Sequence, residues 1–143
     1  MDLPVSADPV TPPTSRERAA LRGRAASRFT IWLAAAGAAL AADIWSKASP
    51  HPIIAYNHAH TPAFVFLLVG AVLLVLGLLY SNVVAFGSGL MFGGLCGNAG
   101  ELILLGYATD WIHVGHYLTN IADISGAAGL LCCFAGYVLP LRR

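Results

Sequence analysis

Residues 63–80 read AFVFLLVGAVLLVLGLLY, eighteen positions without one charged side chain. Crossing a hydrocarbon core takes roughly 17 to 25 residues of helix at about 1.5 Å each, so this stretch is long enough to span. The same character persists on both sides. Between Lys47 and Arg142 there is no Lys or Arg, a gap of 94 residues. Over its 143 residues the chain is 57% hydrophobic and 10% charged. A soluble domain carries roughly a quarter charged residues and could not cover such a gap without exposing a large apolar patch. Composition therefore argues against a soluble enzyme, a nucleic-acid binder and a disulfide scaffold. Cys96, Cys132 and Cys133 all lie in apolar runs and read as small packing residues.

Three more apolar segments flank the first. The predicted fold is an all-α integral membrane domain over residues 29–141, with four transmembrane helices at about 29–45, 63–80, 83–105 and 121–141. Residues 1–28 are predicted to be a disordered, basic cytoplasmic tail: four prolines fall in the first fifteen positions and five arginines in 16–28. The arginines could also form an interfacial helix, but their simpler role is to set topology. A cleaved signal peptide fits less well, because the apolar run after Arg28 is longer than the usual h-region of about 7 to 15 residues.

Four spans put both termini on one side. Seven of the eight basic residues then fall together on the cytoplasmic face, as the positive-inside rule asks. Ser81-Asn82 becomes a tight inner turn. Two longer outer loops, about 46–62 and 106–120, hold all five histidines.

The acids beyond the tail are Asp43, Glu101, Asp110 and Asp123. An ionisable group inside a span is costly unless it faces a cavity or a partner, so each is a candidate functional residue. The topology places Asp43, Glu101 and Asp123 within a turn or two of one plane at the outer boundary. Structural readings compete. Asp43 could pair with Lys47 at i, i+4, and Asp123 could cap the fourth helix, with Thr119 and Asn120 as rivals. Glu101 has no local basic partner. Gly93, Gly94, Gly97 and Gly100 thin the helix face beside it for close approach of another helix, across which Asn98 could hydrogen-bond. Two carboxylates close together share a proton, and that arrangement can activate water and protonate a leaving amine.

Four motifs, in order, resemble signal peptidase II, the bacterial lipoprotein signal peptidase, a four-span membrane aspartic protease. Asp43-Ile44-Trp45-Ser46-Lys47 looks like the family's Asp-x-x-Ser/Thr-Lys. Gly93-Gly94-Leu95-Cys96-Gly97-Asn98 looks like its Gly-Gly-x-x-Gly-Asn. Gly106-Tyr107-Ala108-Thr109-Asp110-Trp111-Ile112 is similar to its Gly-Tyr-Val-Val-Asp-Phe-Ile, and Asn120-Ile121-Ala122-Asp123 to its Asn-x-Ala-Asp. The likeness covers about residues 29–141.

The resemblance implies a catalytic pair of Glu101 and Asp123, supported by Asp43, Lys47, Asn57, Asn98, Asp110 and Asn120. It implies no metal and no cofactor. The implied substrate is a lipid-modified prolipoprotein, cut in the bacterial cytoplasmic membrane by a monomer whose active face looks outward; membrane lipid is the other partner, and nucleic acid is not one. Two departures fall at the first acid, where Glu101-Leu102 replaces the family's Asp-Arg. Asn57 is an imperfect counterpart of the family's Asn, since its distance to Ala63-Phe64 is off by two. A catalytically impaired member that binds lipid, lipopeptide or a partner protein is therefore the alternative. Metal binding through His58-x-His60 and His113-x-x-His116 is a third reading, and a channel a fourth.

Overall fold

A computed structural model of the chain describes residues 12, 14–58 and 63–139. It is mostly helical. Helix α1 runs Ser15–Lys47, α2 Ala63–Leu79, α3 Asn82–Leu105 and α4 Ile121–Val138. Helices α1, α3 and α4 are each long and apolar enough to cross a membrane; α2 is equally apolar but shorter. The tail expectation needs correction, because residues 15–28 are helical and continuous with the apolar part of α1. Thr14 and Glu17 form a capping box: the Thr14 Oγ1 accepts from the Glu17 N–H at 3.3 Å, and Glu17 Oε2 accepts from the Thr14 N–H at 2.6 Å. The Ala and Arg residues that follow are strong helix formers. Polarity alone suggested disorder; the cap and propensity decide otherwise. Residues 1–11 and 13 lie outside the described residues, as do 59–62 and 140–143 with Arg142 and Arg143.

The two longer connections carry strands that an all-α reading leaves out. Strand β1 (Ala55–Asn57) pairs antiparallel with β2 (Ala108–Asp110), setting Ala55 opposite Asp110 and Asn57 opposite Ala108. Strands β3 (Ile112–Val114) and β4 (Tyr117–Thr119) form a hairpin turning at Gly115, whose φ of 61° is a conformation glycine adopts without cost. Three-residue strands are too short for period-2 alternation to reveal.

Helix α3 is the centre of the bundle and packs against the other three. Its glycines permit this. A Cβ at Gly93 would strike the Ala36 carbonyl, one at Gly94 the Ala122 carbonyl, and one at Gly97 the Asp43 carboxylate. Gly100 departs from the expectation, since a Cβ there meets open space. Much of the interior is small or polar: Ala35, Ala36, Ala39, Ser88, Asp43 and Asn120 are buried, with Trp32, Leu73 and Val84 the larger apolar members. Large apolar side chains point outward instead, with Leu67 at 75%, Leu104 at 82% and Leu131 at 70% exposure. In water such an arrangement would be unstable; against lipid it costs nothing. Aromatic residues mark both ends of the bundle, Tyr80 with Tyr137 at one and Trp45, Tyr56, Tyr107 and Tyr117 at the other, as interfacial belts do.

Candidate functional site

Four elements converge at one end of the bundle: the last turn of α1, the last two turns of α3, strand β2 and the first turn of α4. Lys47 is the one Lys or Arg between residues 29 and 141, and its Nζ is the hub. It lies 2.8 Å from Asp43 Oδ2 and 2.7 Å from Glu101 Oε2, and donates to Asn98 Oδ1 at 3.1 Å. The expected i, i+4 pair is present, and Glu101, which has no basic neighbour in sequence, finds one 54 positions away. Asp43 has a second task. Its Oδ1 accepts from the Ala122 N–H at 2.9 Å, satisfying an otherwise orphaned donor in the first turn of α4.

Asn120 orders the acids. It caps α4, its Oδ1 accepting from the Asp123 N–H at 2.9 Å. Its buried Nδ2 faces Asp110 Oδ1 at 2.6 Å, Asn98 Oδ1 at 2.8 Å and the Thr109 carbonyl at 3.2 Å. Because Asn120 takes the capping role, the Asp123 carboxylate is left for other contacts. Asp123 Oδ1 accepts from Asn98 Nδ2 and Oδ2 from the Thr119 hydroxyl, each at 2.9 Å. Asp123 itself is exposed.

Glu101 is engaged elsewhere. Besides Lys47 it accepts from the Thr109 N–H at 2.8 Å and from the Thr109 hydroxyl at 3.0 Å. The sequence marks Thr119 only as a rival cap of the fourth helix, and Thr109 only as standing where the resembled pattern has valine. Glu101 and Thr109, both departures from that pattern, are bonded to each other.

Asp110 is the acid whose protonation the surroundings favour. Burial raises its pKa above the usual carboxylate range, and the charges of Asp123 and Glu101 raise it further; the Asn120 hydrogen bond and Lys47 oppose them. Asp110 and Asp123 are thus two interacting carboxyls, linked through Asn120 and Asn98, in unlike settings. One is buried and protonation-prone, the other exposed and accepting two hydrogen bonds.

A groove of about 550 Å³ opens beside Asp123 between α2, α3 and α4. Asn57, Asn98 and Asp123 form its polar mouth; Phe66, Leu73, Met91, Leu95 and Leu130 wall its apolar length. Leu102 also lines it, so a side chain without charge occupies the position where the resembled family carries arginine. Asn57, the weakest of the sequence assignments, is placed at this mouth by the β1–β2 register.

The described histidines do not converge. His58 donates to the Gly106 carbonyl at 3.2 Å and packs edge-on against Tyr107. His51 stacks on Trp111 at 3.8 Å and donates to the Ser46 carbonyl. His113 and His116 are exposed, and His60 lies outside the described residues. Among the described residues no three His, Cys, Asp or Glu side chains are grouped to hold a metal. Compared with known proteins, the chain matches no family model and none of the curated proteins.

Proposed function

We propose that this chain is a membrane aspartic endopeptidase of the signal peptidase II type, with Asp110 and Asp123 as its reacting acids. The observation that carries the reading is that Asp123 stands at the polar mouth of an apolar groove while its carboxylate is joined to that of Asp110 through Asn98 and Asn120. In this role Glu101 becomes a positioning residue rather than half of the pair, because Lys47 and Thr109 already occupy its carboxylate.

The chemistry follows from the unlike settings of the two acids. Ionised Asp123 takes a proton from water as the water oxygen bonds to the scissile carbonyl carbon. Protonated Asp110 gives its proton to the carbonyl oxygen. The tetrahedral intermediate then collapses, the C–N bond breaks, and the proton held by Asp123 goes to the leaving amine. The oxygen-borne proton returns to Asp110. Asn98 and Thr119 hold the Asp123 carboxylate in place, and Lys47 fixes Asn98 from the other side.

In the membrane, four spans with both termini cytoplasmic place the carboxylates at the outer face and the arginines inside. Helix α2 is short, but its 17 residues reach about 25 Å and it returns to α3 through a two-residue turn. An extended peptide bearing a lipid anchor fits a site that is polar at the mouth and apolar below. The substrate class is thus a lipid-modified prolipoprotein, and one copy of the chain supplies every acid. The bacterial cytoplasmic membrane is the location this implies.

Leu102 favours one second reading, a catalytically impaired relative that binds lipid or lipopeptide, because it leaves the groove without a cation. Expression in cells depleted of their own signal peptidase II, with prolipoprotein processing followed by gel shift, decides between them. Processing that is lost in Asp123→Asn supports the peptidase; absence of processing by the unaltered chain supports the impaired relative.

A further inference from the structure

At the opposite end of the bundle, α1 passes from its arginines into its apolar stretch beside the turn between α2 and α3. A cleft of about 420 Å³ lies there, lined by Arg24, Ser27, Arg28, Ser81, Asn82 and Val83. Arg24 and Arg28 are one helical turn apart and so share a face of α1. Arg28 Nη1 donates to the carbonyls of Leu78 and Leu79, each at 3.1 Å, capping the end of α2 and fixing the guanidinium beside the cleft. Its Nε is buried with no hydrogen-bond partner.

The other wall is the start of α3. Ser81 spends its hydroxyl on the Val84 N–H as the N-cap. The first amides of α3, at Asn82 and Val83, lie at the positive end of the helix dipole and have no acceptor within the helix. None of the six lining residues is acidic. Two guanidinium groups, a serine hydroxyl, an asparagine amide and helix N-terminal amides make the donor set of a phosphate site.

Depth identifies the source of the phosphate. Phe29, Tyr80 and Val83 border the cleft in sequence and point outward, 45%, 49% and 48% exposed. Tyr80 and Tyr137, 6.1 Å apart, mark the membrane interface at this end. A phosphate held by Arg24 and Arg28 would have its acyl chains running along this apolar flank. We propose that the cleft binds the phosphodiester headgroup of an anionic phospholipid in the leaflet at the arginine end of the bundle. This site is independent of the peptidase reading.

The test is native mass spectrometry of the full-length protein in neutral detergent, titrated in parallel with phosphatidylglycerol, phosphatidylcholine and inorganic phosphate. The expected result is preferential binding of one phosphatidylglycerol. A cation at a lipid headgroup changes affinity about fivefold, so Arg24→Gln should weaken that first lipid by this factor. Arg28→Lys keeps the charge but loses the planar fork, and should weaken it too. Arg16→Gln and Arg22→Gln make the same charge change outside the cleft and should alter it by less than about twofold. Arg24 takes no part in capping α2, so its variant stays informative if Arg28→Lys folds poorly. Equal binding of both lipids would overturn the proposal, as would equal losses for Arg16→Gln and Arg24→Gln. Inorganic phosphate binding as tightly as the lipid would assign the cleft to a soluble anion and overturn the lipid source.

Discussion

Lys47 Nζ lies 2.7 Å from Glu101 Oε2, tying the last turn of α1 to the C-terminal turns of α3. The same ammonium sits 2.8 Å from Asp43, and with the Lys47 side chain 8% exposed and that of Asp43 1%, neither charge can be left to solvent. Removing one member of a buried ion pair costs about 3 to 5 kcal/mol, because the partner stays charged and dry. Lys47→Met should therefore lower the thermal midpoint in detergent markedly. Adding Glu101→Gln to Lys47→Met should recover part of the loss, as one of the two stranded carboxylates is neutralised.

Gly97 exists to admit Asp43. A Cβ at position 97 would run into that carboxylate, which is pinned by Lys47 and by the Ala122 amide. Gly97→Ala should destabilise by about 1 to 3 kcal/mol, as overpacking does. Gly100→Ala is the internal control, since its Cβ meets nothing within 4 Å. It should leave the thermal midpoint unchanged or raise it, alanine being the better helix former by about 1 kcal/mol.

Asp110 links stability to pH. Its folded pKa is raised, by burial first and by Asp123 and Glu101 next. The protonated form therefore favours the fold: its contribution is fully present below the ordinary carboxylate pKa and is lost as pH rises through the raised value. Asp110→Asn removes that dependence. The variant's thermal midpoint should gain on wild type as pH rises from about 4 towards 8. A difference that stays constant across this range would show that Asp110 is not the strained acid.

Much of this architecture can be read from the sequence, and the reasons for the exceptions are specific. Hydrophobic run length locates α2, α3 and α4 to within a few residues, because a bilayer fixes how long an apolar helix must be. The extension of α1 over residues 15–28 was hidden by composition, and its signal was the Thr14–Glu17 box. The acids were legible as a group because few charges compete with them. Their roles were not. Glu101 looked unpaired since its cation comes from another helix, and Asp110 looked peripheral since the β1–β2 pairing that buries it spans more than fifty residues.

Glu101 and Thr109 should be energetically coupled. Two hydrogen bonds to a charged carboxylate join them, at 2.8 and 3.0 Å, of which the hydroxyl bond is removable by mutation. A double-mutant cycle between Glu101→Gln and Thr109→Val, read from thermal or denaturant unfolding, should give a coupling of about 1 to 3 kcal/mol. Additive effects would mean that the two departures from the resembled pattern arose without regard to each other.

The central claim is that Asp110, not Glu101, works with Asp123. Cleavage of a lipidated prolipoprotein by the purified protein, compared for Asp110→Asn and Glu101→Gln, tests it directly. Loss of a general acid or base costs about 10² to 10⁴-fold, so Asp110→Asn should fall at least a hundredfold, to the level of Asp123→Asn. Glu101→Gln should keep about a tenth of the activity or more, its loss reflecting a loosened Lys47 and Asn98. A dead Glu101→Gln beside an active Asp110→Asn would contradict the account.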